Sequence, residues 1–184
     1  MNNKIDRDTV EDLVLEVFRL NERYYKLIEV DSEQVLGPPA TEAHIASLEL
    51  KLGYRLPPSY KTFLSLHDGW HDWEGDQRLL SVDELERGPY FDHVRMVKQA
   101  AWEEGNSVVL EGLVIGACLS SASLLILDTR KVDDRAEMEI INWEHKEVGR
   151  YADFVDLLQN TAVDLRQIIG EQEQETRSHA NDIE

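Results

Sequence analysis

The sequence predicts an α+β domain: helices first, then an antiparallel sheet, closed by a C-terminal helix. Three observations carry this. Apolar residues recur at i, i+3, i+4 and i+7 through most of the front half of the chain. Beyond residue 107, short β-branched or apolar runs follow one another through connections shorter than the dozen or so residues that a parallel crossover needs. A last amphipathic stretch then restores the helical period. At 184 residues the chain fits one domain with one core, expected over residues 1–170 and including an N-terminal helical extension. Residues 171–184, EQEQETRSHANDIE, are almost free of apolar side chains and are expected to form a disordered polar, acidic tail.

The first helix is expected over residues 8–30. Val10, Leu13, Val14, Val17, Phe18, Tyr24, Tyr25 and Ile28 form its stripe, with Asp8 and Glu11 at capping-box spacing. Such a wide aromatic stripe is read as core-facing, with a partner groove as the competing reading. Gly37-Pro38-Pro39 breaks the chain. Thr41 is placed to cap a second helix, on which Ile45, Leu48 and Leu52 keep the period until Gly53. Tyr54-Arg55-Leu56 is extended ahead of proline, and Pro57-Pro58 pre-sets the first turn of a third helix bearing Tyr60, Phe63, Leu64 and His67. Asp68-Gly69 ends it. Residues 70–76, WHDWEGD, show neither a helical nor a strand period and read as a loop.

A short strand is expected at residues 78–82, then a capped turn at Ser81 and Glu84. Gly88-Pro89 precedes another helix, carried by Phe91, Val94, Arg95, Lys98 and Trp102 and stopped at Gly105-Asn106. Strands are expected at residues 108–110, 113–117, 124–127 and 139–143, with a solvated hairpin end over 130–137. The closing helix is expected to begin near Arg150 and to point Phe154, Leu157, Leu158, either Val163 or Thr161, and Leu165 at the sheet.

Charge excludes several functions. There are 37 acidic against 19 basic side chains, for a formal net charge of −18. Binding to nucleic acid or to an anionic membrane rests on neutralising phosphate with Lys and Arg, so neither is expected here. A basic protein partner is, because complementary fields speed encounter and penalise wrong partners. Acidity also serves solubility alone, but between Asp68 and Asp92 eight acids face two bases, so much of the charge lies beside the aromatic loop. No apolar run approaches membrane-spanning length and MNNKIDRDTVED lacks the apolar centre of a signal peptide. The lone Cys118 has no internal disulfide partner, and a reducing cytoplasm is expected.

Catalytic constellations are hard to find. His67 and His71 stand four apart among Asp68, Asp72, Glu74 and Asp76, a spacing that serves zinc when one helix carries both imidazoles. Gly69 and Trp70 interrupt any such helix and no HExxH occurs, so a metal-dependent hydrolase is the remotest reading and no metal or other cofactor is expected. Cys118 sits in an apolar run that does not activate a thiol, and no GxSxG elbow or phosphate-binding glycine loop is present. The chain is therefore read as a non-enzyme. The candidate partner-binding residues are Trp70, His71, Asp72, Trp73, Glu74 and Asp76: two aromatic anchors ringed by steering charge, with burial of the tryptophans against the core as the competing reading.

The string IASLELKLGYRLPPSYKTFLSLHDGW resembles the signature of the SUKH superfamily: a helix ending at Leu-Gly, an Arg-Leu-Pro-Pro linker, and an aromatic helix ending at His-Asp-Gly. IINWEHKEVGRYADFVDLLQ is similar to the family's closing strand and helix, and LLSVDEL and LLILDTR fall between in the right order, so the resemblance covers roughly residues 40–160. It implies a twisted antiparallel sheet and no catalytic residues. It further implies an interaction protein. Bacterial members are mostly immunity proteins that neutralise polymorphic toxins, often nucleases or deaminases, while fungal relatives regulate cell-wall synthesis. The expectation is a cytoplasmic immunity protein that blocks a basic toxin without covalent chemistry. The alternative is a general interaction or regulatory module of the cell-wall-regulator type.

Overall fold

Helix α1 (Arg7–Leu27) leads through a two-residue strand β1 (Val35–Leu36) to α2 (Glu42–Leu52) and α3 (Pro58–Leu66). A hairpin of β2 (Trp70–Glu74) and β3 (Gln77–Leu79) follows, then α4 (Pro89–Glu104) and the one-turn α5 (Ser107–Glu111). Strands β4 (Leu113–Ala117), β5 (Ser123–Val132), β6 (Met138–Glu144) and β7 (Glu147–Tyr151) precede α6 (Phe154–Asn181). This computed structural model describes residues 7–105 and 107–181. The seven strands form one antiparallel sheet in chain order, β1 to β7.

Local chemistry explains the helical front. Thr41 accepts the His44 amide at 3.2 Å as N-cap of α2, and Gly53 closes that helix at φ +78°. Pro57 and Pro58 begin α3, whose first free amides are satisfied from far along the chain. The buried Glu137 carboxylate accepts the Ser59 amide at 2.8 Å and its hydroxyl at 2.7 Å. Ser81 and Glu84 make the reciprocal capping bonds expected of them, at 2.9 to 3.3 Å, on a single turn.

Both faces of the sheet are covered, which is why residues 124–127 are apolar without alternation. Leu125, Leu127 and Ile140 point into the larger core with α1, α3 and α6. Leu124, Ile126 and Ile141 point into a smaller core under α4 and α5. Tyr60, Phe63 and Phe154 meet at ring separations of 4.9 to 6.2 Å where α3 and α6 cross the sheet.

Four local expectations differ from the structure. Residues 108–110 lie within α5, because three β-branched or apolar residues after a helix-ending Gly105 (φ +75°) fit one helical turn as well as a strand; Asn106 lies outside the described residues. Residues 147–151 form an edge strand rather than the start of the last helix. Residues 70–74 form β2 rather than a loop. Helix α6 passes through Gly170 and includes residues 171–181, with residues 182–184 outside the described set. Ion pairs hold α6 to α1, Arg166 to Glu16 and Arg23 to Glu173, and Gln167 bonds Glu171 one turn on, so a polar segment stays helical without an apolar face of its own. No helix among the described residues is long and apolar enough to cross a membrane.

Candidate functional site

The residues of the Leu-Pro-Pro signature hold the fold together. Glu49 accepts the Leu56 amide at 3.0 Å and pairs with Lys61 at 3.0 Å, which ties the extended linker between α2 and α3. Asp68 accepts the Val82 amide at 2.7 Å. Gly69 sits at φ +89°, where a Cβ would lie 2.9 Å from the Ser81 amide nitrogen, so only glycine fits. His67 closes α3 and His71 lies in β2, so the two imidazoles do not share a helical face. Among the described residues no group of three or more His, Cys, Asp or Glu side chains converges as a metal site.

The tryptophans are not exposed anchors. Trp70 and Trp73 are both 0 % exposed. In a regular strand, residues three apart face opposite sides, and here an irregularity corrects the phase: five residues of β2 span three of β3, with Asp72 at φ +50°. Both indoles thereby face α1. Phe18 stacks on Trp70 at 5.9 Å, Trp70 meets Trp73 edge-on at 5.7 Å, and the Asn21 amide donates to the Trp73 carbonyl at 2.6 Å. Trp73 Nε1 donates to Gln77 Oε1 at 3.1 Å. A wide apolar helix covers them, and that cover overturns the anchor assignment for these two residues.

His71 and Asp72 are half-buried and face each other, with Nδ1 2.8 Å from Oδ1. Glu74 and Asp76 stay exposed on the β2–β3 turn, where the Gly75 amide donates to the Tyr25 hydroxyl at 2.9 Å. The meander places the β4–β5 and β6–β7 turns at the same end of the sheet. There Glu74, Asp76, Gln77, Cys118, Ser121, Ser123, Asn142 and Glu144 line a cleft of about 330 Å³.

The walls of this cleft are polar and fixed. Ser120 donates to Asp76, the Cys118 sulfur lies 3.0 Å from the Ser120 hydroxyl, and Gln77 donates to Ser123 at 3.0 Å. The bonds from Ser120 and Cys118 hold the Asp76 carboxyl below its ordinary range. Glu74 behaves oppositely. Protein atoms crowd its carboxyl although the residue is exposed, and the negative charges of Asp164 and Glu144 act on it, so both effects push it up. The end of the sheet is thus an acidic recess held rigidly by hydroxyl and amide groups, with Lys146 as the cation in the third turn. It can receive cationic side chains. Cys118 is a free, buried cysteine there.

Of the six candidates, then, the structure gathers Glu74 and Asp76 into this recess, sets His71 and Asp72 beside it on β2, and removes Trp70 and Trp73 to the core. Asn142, Glu144 and the serines of the β4–β5 turn were missed. The signal that locates them is the strand order, since alternate turns of an up-and-down meander share one end of the sheet.

No curated protein matches the chain at a significant level. The sequence pattern of the SMI1 / KNR4 family (SUKH-1) matches residues 39–160, which include α2, α3, the whole strand series after β1 and the start of α6. That span is about two-thirds of the sequence, it carries the framework residues described above, and the chain belongs to the SMI1 / KNR4 family (SUKH-1).

Proposed function

We propose that the chain is an immunity protein that binds a basic polymorphic toxin, such as a nuclease, and neutralises it by non-covalent occlusion. The observation that carries this reading is the acidic recess at one end of the sheet, in a family member whose formal net charge is −18. Carboxylates at fixed spacing imitate phosphates in a cationic cleft. Glu74 and Asp76 are the contact residues with the strongest support, followed by His71 and Asp72 beside them. Desolvated like charge in the free protein favours such a partner, because a guanidinium or ammonium group relieves the repulsion on Glu74.

The test is co-expression with the protein encoded by the neighbouring open reading frame. The chain is expected to rescue growth from that protein and to co-purify with it, with affinity falling steeply as salt rises. A Glu74→Lys/Asp76→Lys variant is expected to weaken the complex by roughly a hundredfold while leaving its own melting temperature within a few degrees. Absence of rescue together with absence of capture removes the toxin reading; capture without rescue favours a regulatory interaction module instead.

A further inference from the structure

One lysine is held unlike the others. Lys51, Lys61 and Lys131 pair with the carboxylates of Glu86, Glu49 and Glu139 at 2.7, 3.0 and 3.6 Å, and Lys26 and Lys146 are exposed. Lys98 is half-buried on α4. Its Nζ donates to two backbone carbonyls where α5 passes into β4, Leu110 at 3.3 Å and Gly112 at 2.8 Å. Burial holds its ammonium below the ordinary range, and among the described residues no carboxylate offsets that effect.

The number of donors matters here. An ammonium has three N–H groups and a neutral amine two, so the two carbonyls satisfy the neutral amine completely and leave its lone pair free. Lys98 also lines an open groove of about 560 Å³ with Asp92, Arg95, Trp102 and Leu110, from which that lone pair is approached. Two bases face one acid in this lining, on a chain whose formal net charge is −18. Arg95 lies over the Phe91 ring at 5.9 Å and only 3.9 Å from the Asp92 carboxylate, so no short ion pair occupies its guanidinium. Glu111, exposed at the end of α5, has Arg130 3.9 Å away. A small anion with an electrophilic carbonyl suits such a lining, because a guanidinium receives phosphate while a dehydrated amine attacks carbon.

We propose that Lys98 is a modification site that takes an acyl group from a small acyl phosphate seated on Arg95 in the α4–α5 groove. The neutral Nζ attacks the acyl carbonyl carbon. The N–C bond forms as the C–O bond to phosphate breaks; phosphate leaves with the electron pair, and the amine proton passes to water. The acylated Nζ keeps a single N–H, so one of the Leu110 and Gly112 carbonyls loses its donor. The proposal goes beyond the toxin reading and does not depend on it.

The full chain is incubated with acetyl phosphate at a series of pH values, and acetylation of each lysine is followed by peptide mass spectrometry. At neutral pH Lys98 is expected to acetylate at least about fivefold faster than the exposed Lys26 and Lys146, and its rate to level off at a lower pH than theirs. A Lys98→Arg variant keeps donors for both carbonyls, and is expected to lose the fast-reacting site while melting as the parent does. An Arg95→Gln variant is expected to slow acetylation of Lys98 by acetyl phosphate about threefold or more, and to leave its rate with the uncharged N-hydroxysuccinimide ester of acetic acid unchanged. Acetylation of Lys98 no faster than that of Lys26 and Lys146 makes its amine a cap on the two carbonyls alone and overturns the proposal. Equal rates in the parent and the Arg95→Gln variant with acetyl phosphate, or equal slowing with both reagents, overturns the seat for the phosphate.

Discussion

Trp70 and Trp73 on one side of the sheet and Trp102 on the other make an instructive pair of regions. The first two lie in a stretch of His, Asp, Glu and Gly, and yet are fully buried; the third lies on a regular amphipathic helix, and yet is 69 % exposed. Neighbours in the sequence did not decide either outcome. Cover did. Helix α1 lies over β2, so that Phe18 meets the Trp70 indole and Asn21 the Trp73 carbonyl, whereas among the described residues α4 has the short α5 beside its outer stripe. Helix α1 is also outside the span that matches the family, so the element sealing these tryptophans is an addition to the matched framework.

The sharpest way to break this comparison is to truncate one tryptophan from each region. Trp73→Ala is expected to cost about 3–5 kcal/mol, the range for removing a large aromatic side chain from a packed core. Trp102→Ala is expected to stay within about 0.5 kcal/mol of the parent. Chemical denaturation of the two variants checks both. Equal costs would show that the covered and open regions are energetically alike, contrary to their packing.

A middle-sized effect isolates the role of α1. The Asn21 side chain is 2 % exposed and donates to the Trp73 carbonyl at 2.6 Å. Asn21→Ala leaves that carbonyl buried without its donor, and the expected loss is about 1–3 kcal/mol, measured by the same denaturation series. A Trp73→Ala/Asn21→Ala double variant should lose less than the sum, because the two residues share one contact region. Strict additivity would mean that α1 does not act as the cover over this hairpin.

How far the sequence reveals these regions depends on the range of the interactions that set them. Thr41, Gly53 and Pro57-Pro58 are legible because a cap, a left-handed terminus and a fixed φ act within a few residues. The runs 113–117 and 124–127 are legible because both faces are buried and they are continuously apolar. Edge strand β7 is not, since Val148 faces water and Glu147 and Arg150 bond each other rather than follow an apolar alternation. The phase of β2 is set by an irregular pairing with β3 and by Asp72 at positive φ, neither of which has an unambiguous local signal. The acidic part of the candidate site could be read from composition; its partners Asn142 and Glu144 could not, because they lie about seventy residues away and meet Glu74 only through the strand order.

The smallest expected effect tests the boundary between the buried hairpin and its acidic tip. Crowding by protein atoms, and then the charges of Asp164 and Glu144, raise the Glu74 carboxyl above its ordinary value of 4.5. A raised carboxyl means that the folded state holds more protons than the unfolded chain in the window just above that value. Stability therefore falls as pH rises through the window and stays lower at neutral pH. Glu74→Gln cannot ionise and escapes this loss. The exposure of the side chain screens the effect, so the gain at neutral pH is expected to be about 0.5 kcal/mol, and it should vanish below the window. The same substitution should weaken a basic partner at neutral pH, because it removes charge from the recess. Melting curves across the acid range, run beside a binding titration, read the two signs together. A variant more stable at neutral pH and poorer at binding identifies a tip strained by its own charge for the sake of a cation. A variant less stable at neutral pH would instead assign Glu74 to the framework, on the same side of the comparison as Trp73.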